Sequence, residues 1–196
     1  MERIRSFISI DIDDPALVSK MVDVQKELSR LGATIKFVEP ENIHLTLKFL
    51  GEIPRFLVEE VKRALDRVSF EPFTMRIEGL GAFPSVSRPR VIWLGVTEGA
   101  ERVAAIHEAV ERELARLGFR RDREAFVPHV TIGRVRGGSY DRLRARLADL
   151  RGVVIGDFRV EVIRLKRSTL TSKGPIYTTL YERHAEGGAG GGTQQG

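Results

Sequence analysis

The sequence predicts a fold of alternating strands and helices built from two related halves. Three observations predict it: a four-residue phrase that occurs twice, matched residues around each copy, and a similar succession of strand-like and helix-like segments in both halves. The phrase is His44-Leu45-Thr46-Leu47 in one half and His129-Val130-Thr131-Ile132 in the other. Arg30-Leu31-Gly32 precedes the first and Arg116-Leu117-Gly118 the second, and Phe37-Val38 and Phe126-Val127 recur between glycine and histidine. A proline, Pro40 or Pro128, stands before each histidine. The repeat is less regular than a solenoid and reads as a diverged duplication, roughly 1–80 and 90–184, within one domain spanning 1–184.

Ile4 to Ile12 alternates and is rich in isoleucine, so it predicts a first strand. Asp14 and Pro15 then supply an N-cap and a first-turn proline. The helix stripe is Leu17, Met21, Val24, Leu28 and Leu31, and Gly32 stops it. Capping accounts for the acidic run Asp11, Asp13, Asp14 more economically than a cation site. Thr34 to Val38 predicts a short strand, and Ile43 to Leu50 another that carries the first phrase. Pro54 opens a second helix with Leu57, Val58, Val61, Ala64, Leu65 and Val68 on one face.

Phe73 to Ile77 predicts a strand, Gly79 to Pro89 a turn-rich loop, and Val91 to Val96, which holds Trp93, a further strand. A third helix shows the stripe Val103, Ile106, Val110, Leu114 and Leu117 and stops at Gly118. His107 lies at the edge of that stripe and reads as a structural histidine. Phe126 to Val135 carries the second phrase, and Ser139 is expected to cap a fourth helix through Leu143, Leu147 and Leu150. Val153 to Leu165 and Ile176 to Tyr181 predict long strands. The glycine-rich composition of 185–196 cannot bury a core, so a disordered tail is expected there.

At 196 residues the chain fits one large domain or two small lobes sharing a cleft. Cysteine is absent, which removes disulfides, thiolate catalysis and cysteine-ligated zinc. No signal-peptide pattern opens the chain and no stretch has the apolar length of a membrane span, so a cytoplasmic location is the expectation. The net charge of +5 is carried far more by arginine than by lysine, a residue whose planar fork suits phosphate oxygens. Arg88 and Arg90, Arg120, Arg121 and Arg123, then Arg134 and Arg136 crowd into or beside expected loops.

Side chains change face at every strand residue, so His44 shares a face with Thr46, and His129 with Thr131. The intervening apolar residues anchor each strand on a core, leaving an imidazole and a hydroxyl facing outward together. Two imidazoles near neutrality suit proton transfer: one takes a proton from a nucleophile, the other gives one to a leaving oxygen. Two hydroxyls can hold non-bridging phosphate oxygens as charge builds. Neither histidine lies in a His-Glu-x-x-His helix, and no Gly-x-Ser-x-Gly elbow, phosphate-binding loop or RNA-recognition signature occurs. No metal, cofactor, membrane or obligate protein partner is therefore expected.

These residues resemble those of the two-histidine phosphoesterase superfamily, and within it the RNA 2′,3′-cyclic phosphodiesterases, also called 2′-5′ RNA ligases (ThpR or LigT-like). Beyond the two phrases, the resemblance is carried by Arg5-Ser-Phe-Ile-Ser-Ile, His44-Leu-Thr-Leu-Lys-Phe-Leu-Gly51, Pro128-His-Val-Thr-Ile and Ser168-Thr-Leu…Gly174-Pro-Ile-Tyr177. It covers about residues 1 to 182. It implies an α+β fold of two pseudo-symmetric lobes, each an antiparallel sheet with helices on its outer face, and a catalytic cleft between them.

The implied reaction is hydrolysis of an RNA 2′,3′-cyclic phosphate to a 2′-phosphate, with His44 as proton donor and His129 as proton acceptor; spacing alone leaves the two roles interchangeable. Thr46 and Thr131 would bind the phosphate, and Arg134, five residues after the second histidine, matches a phosphate-holding arginine of the family. Strict alternation puts Arg134 on the face opposite His129, unless Gly133 marks a bulge that re-aims it. Tyr177 is a further candidate for the phosphate site, with stacking or lobe packing as its other reading. The implied partners are RNA ends bearing the cyclic phosphate, tRNA fragments or other nucleotides among them. Two other readings stand beside hydrolysis: a 2′-5′ RNA ligase running the related step in reverse, and a non-catalytic module that binds RNA ends.

Overall fold

The computed structural model describes residues 1–187. Its elements are β1 (Arg3–Asp11), α1 (Pro15–Leu28), β2 (Ala33–Phe37), β3 (His44–Pro54), α2 (Arg55–Asp66), β4 (Phe73–Pro84), β5 (Pro89–Val96), α3 (Ala100–Ala115), β6 (His129–Gly138), α4 (Asp141–Asp149), β7 (Val154–Val160), β8 (Val162–Thr171) and β9 (Gly174–His184). All strand pairs are antiparallel, in the order β7-β4-β5-β6-β3-β1-β8-β9 with β2 added alongside β6. The sheet divides where β3 meets β6, a junction with one register pair, Leu45 opposite Val130. On one side lies the His44 lobe, β3-β1-β8-β9, and on the other the His129 lobe, β6-β5-β4-β7 with β2.

The two lobes are pseudo-symmetric: β3 and β1 correspond to β6 and β5, flanked by β8 and β9 in one lobe and by β4 and β7 in the other. Neither lobe is a continuous half of the sequence, because β4 crosses to the second lobe and β8 and β9 return to the first. The helices are exchanged as well. Lys20 of α1 donates to the Ile155 carbonyl of β7 at 3.2 Å, and Arg146 of α4 pairs with Glu27 of α1, so both helices lie behind the His129 lobe. Helices α2 and α3, joined by Arg67–Glu113 at 2.9 Å, lie behind the His44 lobe. A continuous apolar core runs beneath both, with Ile8, Ile10, Leu45 and Leu47 in one lobe and Ile92, Leu94, Val130 and Ile132 in the other.

Local chemistry fixes the ends of the elements. Asp14 caps α1, its carboxylate accepting from the Ala16 and Leu17 amides at 2.9 and 3.1 Å. Asp11 takes no part in that cap: its carboxylate accepts from Ser9 Oγ and Lys166 Nζ at 2.7 and 2.8 Å. Ser139 does not cap α4 either, since Tyr140 holds the N-cap position and makes no side-chain cap. The expected strand start at Phe126 moves to His129. The expected long strand Val153–Leu165 is broken at Glu161 into β7 and β8.

Most of the expected loop from Gly79 to Pro89 is strand. Gly81, inside β4, makes this possible: a Cβ there would meet the Trp93 ring at 2.4 Å, so the indole of β5 lies flat across the glycine. At the C-terminus, Ala185 is buried and donates its amide to Glu161, and the Glu186 amide donates to Phe70, so ordered chain continues past His184. The rest of the expected glycine-rich tail, from 188, lies outside the described residues.

Gly81→Ala is expected to displace the Trp93 ring at a cost of about 1–3 kcal/mol, the usual range for overpacking. Gly152→Ala, where a Cβ meets nothing within 4 Å, serves as the control. Urea unfolding followed by fluorescence of Trp93, the only tryptophan, would check it; equal midpoints for the two variants would contradict this packing.

Candidate active site

Leu45 and Val130 face each other across the lobe junction and are both fully buried. Their neighbours His44, Thr46, His129 and Thr131 therefore project together from the other face of the sheet, and each is half-buried. Antiparallel register sets each histidine opposite the other strand's threonine and diagonal to the other histidine. Diagonal positions are about 7–8 Å apart, a gap suited to one phosphoryl group held between two rings.

The backbone settles which nitrogen of each ring is available. Nδ1 of His44 lies 2.6 Å from the Asn42 carbonyl oxygen, and Nδ1 of His129 lies 2.6 Å from that of Val127. A carbonyl only accepts, so each Nδ1 carries a proton and donates, leaving Nε2 as the working nitrogen. Nε2 of His44 is 3.0 Å from Thr46 Oγ1.

The two rings sit in different surroundings. His44 packs on Phe7 at 4.9 Å and edge-on to Tyr177 at 5.4 Å between ring centroids. His129 meets Phe83 edge-on at 5.0 Å and Trp93 at 6.2 Å. Across the strand from His44 is Asp11; across from His129 is Gly95. Burial lowers the pKa of both histidines. For His44 the hydrogen bond to Asn42 and the Asp11 charge oppose that effect, while Lys166 and His129 add to it. For His129 the Val127 hydrogen bond opposes burial, and the Arg134 charge reinforces it. Burial alone would raise the Asp11 carboxyl, but hydrogen bonds from Lys166 and Ser9, with the Lys166 and Arg164 charges, hold it below the usual range.

Each phrase ends in a bulge. Along β1, Ile8 pairs with Lys48 and Ser9 with Thr46, which leaves Leu47 as the extra residue on β3. Along β5, Ile92 pairs with Gly133 and Trp93 with Thr131, leaving Ile132 as the extra residue on β6. Each bulge shifts the alternation by one residue. Arg134 consequently rejoins the face of His129 and Thr131 and acts on both His129 and Tyr177 through its charge.

A LigT-like phosphoesterase family model matches the chain twice, over residues 12–93 and 94–177. The chain belongs to that family. Proteins named RNA 2′,3′-cyclic phosphodiesterase are 40% identical in Aeropyrum pernix (85% of this chain, 95% of that protein) and 41% identical in Archaeoglobus fulgidus (90% and 97%). One from Aquifex aeolicus is 42% identical, covering 87% of this chain and 90% of that protein. Among solved structures, TT0787 of Thermus thermophilus superimposes with a TM-score of 0.78 at 28% identity, over 93% of this chain and 100% of that one. The fold is also that of E. coli LigT complexed with 3′-AMP, with a TM-score of 0.74 at 22% identity, over 94% and 99%.

Within this LigT-like scaffold several buried residues support the site: His107, expected from the sequence to be structural, and Gln25 and Lys48, to which the sequence drew no attention. Gln25 of α1, 6% exposed, donates its amide to the carbonyls of Val38 and Ile132 at 2.9 and 3.0 Å, and so holds the bulged residue of β6. In the other lobe His107 of α3 donates Nδ1–H to the carbonyl of Leu47, the bulged residue of β3, at 2.8 Å and stacks on Phe126 at 3.9 Å. Lys48, 4% exposed, lies 2.6 Å from Glu111 and 3.0 Å from Asp122 and donates to the Arg120 carbonyl at 2.7 Å. It ties the strand of His44 to the segment leading into His129. His107, Glu111 and Asp122 come within metal-ligand reach of one another, but the Lys48 ammonium already lies against both carboxylates.

Depressed histidine pKa values carry a stability consequence. In the unfolded chain both rings take up protons near the ordinary value of about 6.5, whereas the folded chain resists until lower pH. Their contribution is present above that value and is lost as pH falls through the window below it. The thermal midpoint should therefore decline between pH 7.5 and 5.5, and less steeply in a His44→Gln/His129→Gln double variant. Identical slopes would show that these rings are not held neutral by the fold.

Proposed function

We propose that the chain hydrolyses RNA 2′,3′-cyclic phosphate ends to 2′-phosphomonoesters. The observation that carries this reading is the convergence of two His-x-Thr strands at one register pair, with both imidazoles locked to present Nε2 on one face. RNA pieces that end in the cyclic phosphate, tRNA fragments among them, are the proposed substrates. The proposed setting is the cytoplasm; no helix among the described residues is long and apolar enough to cross a membrane.

In the proposed step, water attacks phosphorus in line with the P–O3′ bond. His129 Nε2, neutral, takes the water's proton as the new P–O bond forms. His44 Nε2, protonated, gives its proton to O3′ as the P–O3′ bond breaks, so the 2′-phosphate remains and the two rings exchange protonation states. These are the roles that the family resemblance implies, and two neighbours support them: the Asp11 carboxylate opposes the lowering of His44, to which Lys166 adds, and the Arg134 guanidinium reinforces that of His129. Thr46 and Thr131 hold the non-bridging oxygens, Arg134 balances the developing charge, and Tyr177 closes the cleft beside His44.

A short RNA ending in a 2′,3′-cyclic phosphate, incubated with excess chelator, should yield a 2′-phosphate, because both protons already have carriers. The rate should trace a bell against pH whose limbs belong to the coupled pair. His44→Ala and His129→Ala should each remove most activity, with little further loss on combination. Thr46→Val or Thr131→Val should cost on the order of a hundredfold. Turnover abolished by chelation and restored by a divalent cation, or additive histidine losses, would overturn the mechanism.

A further inference from the structure

The chain enters the two histidine strands in different ways. Each strand begins at its histidine, so the residues just before it place the ring. In both lobes Nδ1 donates to the carbonyl two residues back, that of Asn42 in one and of Val127 in the other. Any shift of that carbonyl turns the ring, and Nε2 with it. Before His129 the backbone itself is stiff: Pro128 fixes its own φ and disfavours helical backbone at Val127. The Val127 side chain is exposed and has nothing to donate.

Before His44 the place of Pro128 is taken by Ile43, which carries no such restraint. A single turn of 3-10 helix, Pro40–Asn42, leads into it. Carbonyls at the end of a helix lack a partner within it, and that of Asn42 is the one that accepts from His44. Asn42 is buried and pinned on two further sides. Its backbone amide donates to the Glu39 carbonyl at 2.9 Å, and its side-chain Nδ2 donates to the Pro175 carbonyl at 3.0 Å. Pro175 stands near the start of β9, two residues before Tyr177, whose ring lies edge-on to His44. β1 and β8 separate β3 from β9 in the sheet, so no ladder bond makes this link in its place. One buried side chain thus joins the acceptor of the His44 ring to the strand that carries the ring beside it.

Building on the phosphodiesterase reading, we infer that Asn42 is a positioning residue for the proton donor, achieving through its side-chain hydrogen bond to Pro175 what Pro128 achieves for His129 through a stiff backbone. Asn42 itself touches no substrate. It fixes the carbonyl to which Nδ1 donates, so that the transferable proton sits on Nε2 and Nε2 faces the cleft beside Tyr177. The two lobes reach the same ring geometry by different means, and only the means in the His44 lobe depends on a side chain.

The test replaces Asn42 with Leu, which keeps most of the volume and removes the donor, and separately with Ala. Activity is measured on a short RNA ending in a 2′,3′-cyclic phosphate, and the neutral imidazoles are followed by 15N NMR. In both variants kcat should fall on the order of ten- to a hundredfold, with KM changed less than about twofold because Thr46, Thr131 and Arg134 still hold the phosphate. Neutral His44 should be a single Nδ1–H tautomer in the wild type and gain the Nε2–H form in the variants, while His129 stays Nδ1–H. The pH bell should move to lower pH. His44 faces Asp11 of β1, Lys166 of β8, Tyr177 of β9 and His129 of β6, all retained, and what weakens is a hydrogen bond that favours its protonated form. Lower kcat with the His44 tautomer intact would make Asn42 merely structural and overturn the inference, as would unchanged kcat in either folded variant. Wild-type protein inert on the RNA would remove the phosphodiesterase reading, whereas the tautomer comparison would still decide whether Asn42 holds His44.

Discussion

The site depends on one backbone contact, the pairing of Leu45 with Val130 where a four-stranded and a five-stranded array meet. Because both side chains are buried, the residues on either side are forced to the open face, and two histidines and two threonines gather there without any loop to place them. The contact is only one pair long, so it cannot by itself hold the strands rigid. Rigidity comes from behind. Gln25 holds the carbonyl of Ile132, His107 that of Leu47, and the buried Lys48 ties β3 to the segment preceding His129. Each is a buried polar group satisfied by backbone or by opposite charge, an arrangement costly to disturb and therefore specific in geometry.

Duplication supplies two equivalent imidazoles, but acid–base catalysis needs two different ones. The difference lies in the neighbouring strands. Asp11, held ionised by Lys166, faces His44, while the equivalent place beside His129 is Gly95. Arg134 stands at the sixth position of β6, and the same place on β3 is Phe49. Burial lowers the pKa of both rings; the Asp11 carboxylate opposes that at His44, where Lys166 adds to it, and the Arg134 guanidinium reinforces it at His129, so the two rings differ in the charges that face them. The same asymmetry gives one lobe a charged rim and the other an aromatic one.

Much of this was legible in the sequence because it rests on local rules. The doubled phrase, the strand period around it and the helix stripes ending at Gly32 and Gly118 locate the site strands and the helices behind them. What escaped was non-local. The acidic residues near α1 have separate tasks, but only the pairing of β1 with β8 reveals that Asp11 belongs to Lys166 and the site. Gln25 looks like any helix glutamine until α1 is found behind the other lobe. The segment from Gly79 resembles a loop because of its glycines, but Gly79 is there for a positive φ and Gly81 for the Trp93 ring lying across it. The exchange of strands and helices between lobes has no local signature, since it is fixed by which strands pair across the sheet.

The central claim is that both histidines address one phosphoryl group through Nε2. A crystal structure with vanadate in the cleft addresses it most directly. The expected result is a single vanadate within hydrogen-bonding distance of Nε2 of both His44 and His129, with each Nδ1 still donating to its backbone carbonyl. Vanadate bound to one ring alone, or both rings turned to offer Nδ1, would contradict it.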